Sequence, residues 1–176
     1  MTALALRPCP VEAFNARARR ERWPVVCCAP PHFDSGALAD IAAIWDFVRG
    51  DQALPVRSEF SARALGRHMG CITFIDLVWQ PAAMTPRYRM GFFGSRLSVY
   101  AGDLTGRFVD EAVDAELVPT WHAEFAVAAA LLAPVRFVSR VRAFRLDLAS
   151  AETLLAPLAN ASGEVGGFVL AAAFSR

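Results

Sequence analysis

Apolar and polar residues recur in several rhythms along this chain, and each rhythm predicts a kind of element. Between residues 36 and 50, Leu38, Ile41, Trp45 and Val48 fall at spacings of three and four, which places them on one face of a helix. Gly50 stands where such a helix stops. Cys71 to Trp79 is short, almost wholly apolar, rich in branched and aromatic residues, and bounded by Gly70 and Pro81. That pattern predicts a central strand covered on both faces. From Arg87 to Phe93, Tyr88, Met90 and Phe92 alternate with Arg87 and Arg89, as in a half-buried strand. The two segments form a hairpin across the turn Pro81 to Pro86.

A helical turn opens at Gly94, with Leu97 and Tyr100 on one side, followed by a loop from Ala101 to Arg107. Leu117, Trp121, Phe125, Ala128 and Leu132 then make an apolar stripe along a longer helix, which Pro134 ends. Beyond it the period shortens to two. Val135, Phe137, Ser139 and Val141 alternate with Arg136, Val138, Arg140 and Arg142. Further strands follow at Leu154 to Leu158 and Phe168 to Phe174, joined by the turn-rich loop Asn160 to Gly167. Two strands, a helical insert and three strands predict an α+β fold: a five-stranded antiparallel sheet with helices packed on one face. Residues 1–35 read as an N-terminal extension, with a short basic helix over Val11 to Arg22 and chain breaks at Pro24, Pro30 and Pro31. Residues 36–176 read as the domain proper.

Composition narrows the function classes. The 176 residues suit one well-buried core, and 55% of them are hydrophobic. No run approaches the length of a membrane span, and Arg7 and Pro8 interrupt any signal-peptide core, so a cytoplasmic protein without a membrane span is expected. All 18 basic residues are arginine, which a GC-rich genome explains. A formal charge of +1 argues against a nucleic-acid binder. The four cysteines form no disulfide framework and no zinc spacing. The cluster Arg17, Arg19, Arg20 and Arg22 reads as a solvated helix face, with a partner or membrane-surface contact as the alternative. Arg136, Arg140 and Arg142 read as a solvated strand face, or as the contact for an anionic partner or a second copy.

Four stretches carry a resemblance. They are Ile44 to Arg57 (IWDFVRGDQALPVR), Gly70 to Val78, Arg87 to Glu111 (RYRMGFFGSRLSVYAGDLTGRFVDE) and Leu154 to Val169 (LLAPLANASGEVGGFV). Together they resemble a bacterial subfamily of short, stand-alone PAS proteins, the third being the most specific. In that third stretch, Gly106 suits a tight turn with positive φ, Asp103 suits a backbone N–H acceptor, and Leu104 and Phe108 suit plugs between helices and sheet.

The resemblance implies a sensory or regulatory domain that binds a small ligand or a partner and signals through protein–protein contact. It implies no catalytic residues, no metal and no named cofactor. The expected partners are a second copy of the chain in a homodimer, a signalling protein, and a small apolar ligand. The ligand pocket is expected between sheet and helices, lined by Phe74, Tyr88, Met90, Leu97, Tyr100, Trp121 and Phe125. Asp76 and His122 are its candidate polar anchors. A ligand-free scaffold is the alternative, and a small enzyme using Asp76 or His122 as a base is a third reading. His32 near Cys27 and Cys28, and His68 near Cys71, are weak metal-ligand pairs, since one pair does not fill a tetrahedral site.

Overall fold

The computed structural model describes residues 9–60, 62–80, 85–140 and 150–175. Its centre is one antiparallel sheet of six strands: β1 Val25–Cys28, β2 Ile72–Val78, β3 Arg87–Phe93, β4 Val135–Ser139, β5 Ser150–Ala159 and β6 Val165–Ser175. The spatial order is β1-β4-β5-β6-β2-β3. The helices are α1 Pro10–Glu21, α2 Gly36–Arg49, α3 Ala62–Leu65, α4 Ser95–Ala101, α5 Val109–Ala112 and α6 Val118–Leu131, with 3-10 turns at Arg57–Glu59 and Gly66–Cys71. As the sequence predicts, β2 and β3 form a hairpin; β2 also pairs with β6, so that Ile75 lies opposite Met90 on one side and Phe168 on the other. Val141 and Arg142 lie outside the described residues.

Two expectations are corrected. The sheet has six strands rather than five, because Val25–Cys28 pairs along β4 from Val25↔Ser139 to Cys28↔Arg136. Four residues between prolines carry little strand signal on their own. Their free edge is closed by Asn15 of α1, whose amide donates to the Cys27 carbonyl at 2.9 Å and accepts from the Cys27 N–H at 2.8 Å. A side chain so placed blunts an edge that would otherwise pair with another chain.

The second correction concerns the helices, which cover both faces of the sheet rather than one. On the first face, Ile75, Leu155, Phe168 and Leu170 pack with Phe14 and Ala18 of α1 and with Phe125, Val127 and Ala128 of α6. On the second, Ile72, Phe74, Leu154, Ala156 and Val169 pack with Leu38, Ile41 and Trp45 of α2. The physical reason lies in the strands: β5 and β6 are apolar at nearly every position, so alternate side chains need cover on both sides.

A polar tie fixes α2 to the sheet. Glu152 accepts the N–H groups of Asp34 and Ser35, each at 2.8 Å, and the Arg136 Nε–H at 2.5 Å, while Arg136 also pairs with Asp34. Burial alone would raise the Glu152 carboxyl; the two N–H groups and the guanidinium overcome it and hold the pKa below its ordinary value. Arg136 is therefore engaged within the chain, whereas Arg140 is exposed. Arg17, Arg19, Arg20 and Arg22 are exposed too, with the Arg17 guanidinium 4.9 Å above the Trp23 ring.

Candidate functional site

The expected pocket residues divide between the two faces. Tyr88 and Met90 of β3 meet Trp121 and Phe125 of α6 on the first face. The rings touch: Tyr88–Phe125 centroids stand 4.2 Å apart, Phe125–Phe168 5.1 Å and Trp121–Phe125 5.8 Å. Contacts of this kind stabilise a core beyond simple burial. Phe125, Phe168 and Met90 are fully buried, so side chains fill the floor of the cluster. Phe168, which sequence reasoning left out of the site, closes it from β6. Its signal was available, since a strand paired with β2 must present alternate residues to whatever β2 faces.

Phe74 is not part of this cluster. It lies on the other face, with its ring 6.3 Å from Phe92 and the Arg57 guanidinium 3.5 Å above it. Adjacent residues of a strand point to opposite sides, and Ile75 is the β2 residue that faces Met90 and Phe168. Phe92 joins Phe74 because the pairing of β2 and β3 slips at this point: Phe74 opposes Phe92 and Ile75 opposes Met90, leaving Gly91 as the extra residue of a bulge. A Cβ on Gly91 would stand 2.6 Å from Asp76 Oδ2. The slip ends the regular alternation of Tyr88, Met90 and Phe92. On α4, Leu97 is buried, and the Tyr100 ring packs on Phe174 at 4.4 Å rather than on the Tyr88 cluster.

The two candidate anchors also separate. Asp76 sits opposite Arg89 in the hairpin, with Oδ2 3.2 Å from Arg89 Nη2, on the strand side away from Ile75. His122 is exposed on α6, and its ring meets Tyr88 edge-on at 5.2 Å. Tyr88 is half-buried, and burial raises its phenol pKa, so the hydroxyl stays protonated at neutral pH. Among the described residues that hydroxyl makes no hydrogen bond within the chain and is open to solvent; the buried side-chain nitrogen left without a partner is Arg57 Nε instead. The rim of the cluster thus holds a phenol and an imidazole side by side above an aromatic floor.

The block from Arg87 to Glu111 builds this rim. Gly106 has φ +83°, and its N–H donates to the Met90 carbonyl at 2.6 Å. Asp103 accepts both the backbone N–H and the hydroxyl of Thr105, at 2.9 and 2.7 Å. Leu104 is buried against the first face. Arg87 stacks on Phe108 at 3.8 Å and pairs with Asp110 and Glu111 at 2.7 and 2.6 Å. The hydrogen bond from Arg87 holds the Asp110 carboxyl below its usual range.

Sequence reasoning missed one titratable group. Glu124 on α6 is only partly exposed, and desolvation pushes its carboxyl up to about 8. It lies near Cys27, whose buried thiol is pushed up to about 12, chiefly by desolvation, with Cys28, Glu124 and Cys9 adding to it. His68 and Cys71 do not converge as ligands: the Cys71 thiol donates to the His68 carbonyl, and the imidazole faces Asp40. His32 is exposed. Among the described residues no group of three or more His, Cys, Asp or Glu is placed to hold a metal ion, and no helix is long and apolar enough to cross a membrane.

Comparison with known proteins supplies the family. A solved structure described as an RNA-binding light-oxygen-voltage receptor aligns over 86% of this chain at 17% identity, with a TM-score of 0.42, and the chain spans 38% of that receptor. No curated protein matches. The sequence model of the PAS domain matches residues 33–169. Taken over that span, most of the chain and all of β2 to β5, the match makes this protein a member of the PAS domain family.

Proposed function

We propose that the chain is a sensory or regulatory PAS module, and that its ligand, a small and mostly apolar molecule, docks at the rim formed by Tyr88, Trp121, His122 and Phe125. The observation that carries this reading is Tyr88: its ring is half-buried in the aromatic cluster and meets His122, while its protonated hydroxyl opens to solvent and makes no hydrogen bond among the described residues. A polar group so placed at the edge of an aromatic cluster suits a ligand with an apolar body and one or two polar atoms. The bound ligand would lie against the rings of Trp121 and Phe125, and its polar atom would meet the phenol and the imidazole. The bound state would pass to a partner through protein contact. Exposed Phe47 of α2 and Val99 of α4 offer apolar surface for that, and a second copy of the chain is the first partner to test.

A second reading has its own support. Phe125, Met90 and Phe168 fill the floor of the cluster, as in a ligand-free interaction module. Native mass spectrometry of freshly purified protein separates the two. Under the first reading a discrete small-molecule adduct is present on the wild type and is depleted in Tyr88→Phe and His122→Ala. Bare protein throughout, or an adduct indifferent to both substitutions, would move the assignment to the ligand-free module.

A further inference from the structure

We propose that Arg57 is the anion-binding residue of a second site, on the other face of the sheet, for a small carboxylate with an aromatic body. Arg57 opens the turn Arg57–Glu59 and lays its guanidinium on the Phe74 ring, the central carbon 3.5 Å from the centroid. The partly buried Phe92 ring stands beside Phe74. Two residues along β2 from Phe74, Asp76 points to the same side, with Arg89 of β3 opposite it. The bulge at Gly91 gathers this set: it turns Phe92 to this face and leaves the space that the Asp76 carboxylate fills. The site is separate from the Tyr88 rim, since Phe74 and Phe92 belong to the core under α2 and Tyr88 and Phe125 to the other.

The state of the cation points to a ligand. Arg57 Nε is buried without a hydrogen-bond partner, the one side-chain nitrogen or oxygen so left among the described residues. The guanidinium as a whole makes no hydrogen bond or ion pair among them. The chain treats its other half-buried arginines differently. Arg49 pairs with Asp46, Arg87 with Asp110 and Glu111, and Arg136 with Asp34 and Glu152. Arg57 has only the ring of Phe74, which attracts a cation but cannot stand in for a counter-ion. Asp76 acts on it from a distance, while Asp76 Oδ2 contacts Arg89 Nη2 at 3.2 Å. Glu59 of the same turn faces the Val56 N–H at 3.4 Å. Desolvation outweighs the pull of Asp76 and lowers the Arg57 pKa. A guanidinium held out of water without a carboxylate is costly, and an anion from solution relieves that cost. Arg57 and Arg89 against Asp76 leave one positive charge, which suits a monoanion. A carboxylate fits the guanidinium fork, and Phe92 offers a flat apolar flank for a ring.

The test is a 15N NMR titration of the full chain with benzoate, its neutral counterpart benzamide, and acetate, following the Arg57 Nε–H signal and its neighbours. Wild type, Arg57→Gln, Asp76→Asn and the remote control Arg140→Gln are compared, each checked for folding by circular dichroism. The expected result is a saturable shift with benzoate and none with benzamide, and weaker binding of acetate. Benzoate affinity should fall by about tenfold or more in Arg57→Gln and stay unchanged in Arg140→Gln. In Asp76→Asn it should rise by about threefold, because a repelling charge is gone, a gain that a damaged fold would not produce. Absence of saturable benzoate binding overturns the proposal. So does benzamide or acetate binding as tightly as benzoate, or a benzoate affinity indifferent to Arg57→Gln or lowered by Asp76→Asn.

Discussion

Single side chains here are governed by how much water their polar atoms keep. Tyr88 and Glu124 lie on the helix-covered first face, and both hold their protons more tightly than they would in water, for the same reason: burial penalises the charged form. For Glu124 the consequence can be signed. Its folded-state pKa, about 8, is above the ordinary 4.5, so between those values the folded chain keeps a proton that the unfolded chain has released. Its contribution to stability is complete below about 4.5 and is lost as pH rises through about 8. Glu124→Gln removes that dependence. Relative to wild type, the variant should gain about 2 kcal/mol between pH 5 and pH 9, a figure reduced from the full shift because the residue is partly exposed. Urea midpoints at the two pH values check it, and a constant difference between the two proteins would contradict the assignment. Nothing in the sequence marks Glu124 as unusual. The letters AEF on a helix do not say which side meets α1 and β1, and only the packing supplies that.

Elements were legible where their period was clean and where one partner layer sufficed to explain it. The helix Gly36–Arg49 and the hairpin of β2 and β3 follow from spacing and turn residues, whereas the pairing of β2 with the distant β6 does not. The limits came at interruptions. The alternation through Tyr88, Met90 and Phe92 implies a shared face, but the bulge at Gly91 turns Phe92 to the other side. Likewise, the apolar run Cys71–Trp79 announces a strand covered twice without saying that Phe74 and Ile75 belong to different cores. The join between β3 and α4 shows why the third resembling stretch has its form. Gly94 donates its N–H to the Ile72 carbonyl at 2.8 Å, and a Cβ there would stand 2.5 Å from the Gly70 carbonyl oxygen and 2.6 Å from that of Met69. Both are backbone atoms and cannot turn aside. Gly94→Ala should therefore cost about 3 kcal/mol, read as a lowered urea midpoint with an unchanged slope. A variant as stable as wild type would mean that α4 does not pack this closely on the turn before β2.

At the scale of the whole molecule, a two-faced sheet gives two separate surfaces on one PAS scaffold. The first face carries the aromatic cluster and its polar rim, and the second carries α2 over a separate apolar core. The N-terminal residues belong structurally to the first: Phe14 of α1 packs on Phe137 of β4 at 5.4 Å, and β1 extends the sheet. Sequence reasoning set residues 1–35 apart because their prolines and basic cluster hide a four-residue strand whose cover comes from its neighbour in the chain. The two faces also provide a built-in control for the central claim, since Met90 is buried on the first and Met69 packs on the second. The decisive measurement is the methionine methyl NMR spectrum of 13C-labelled protein, before and after adding back the small-molecule fraction released from the same preparation by heat. The account predicts that the Met90 methyl shifts while Met69 stays in place, and that Tyr88→Phe abolishes the change. A spectrum in which Met90 does not move, or in which Met69 moves alone, would contradict it.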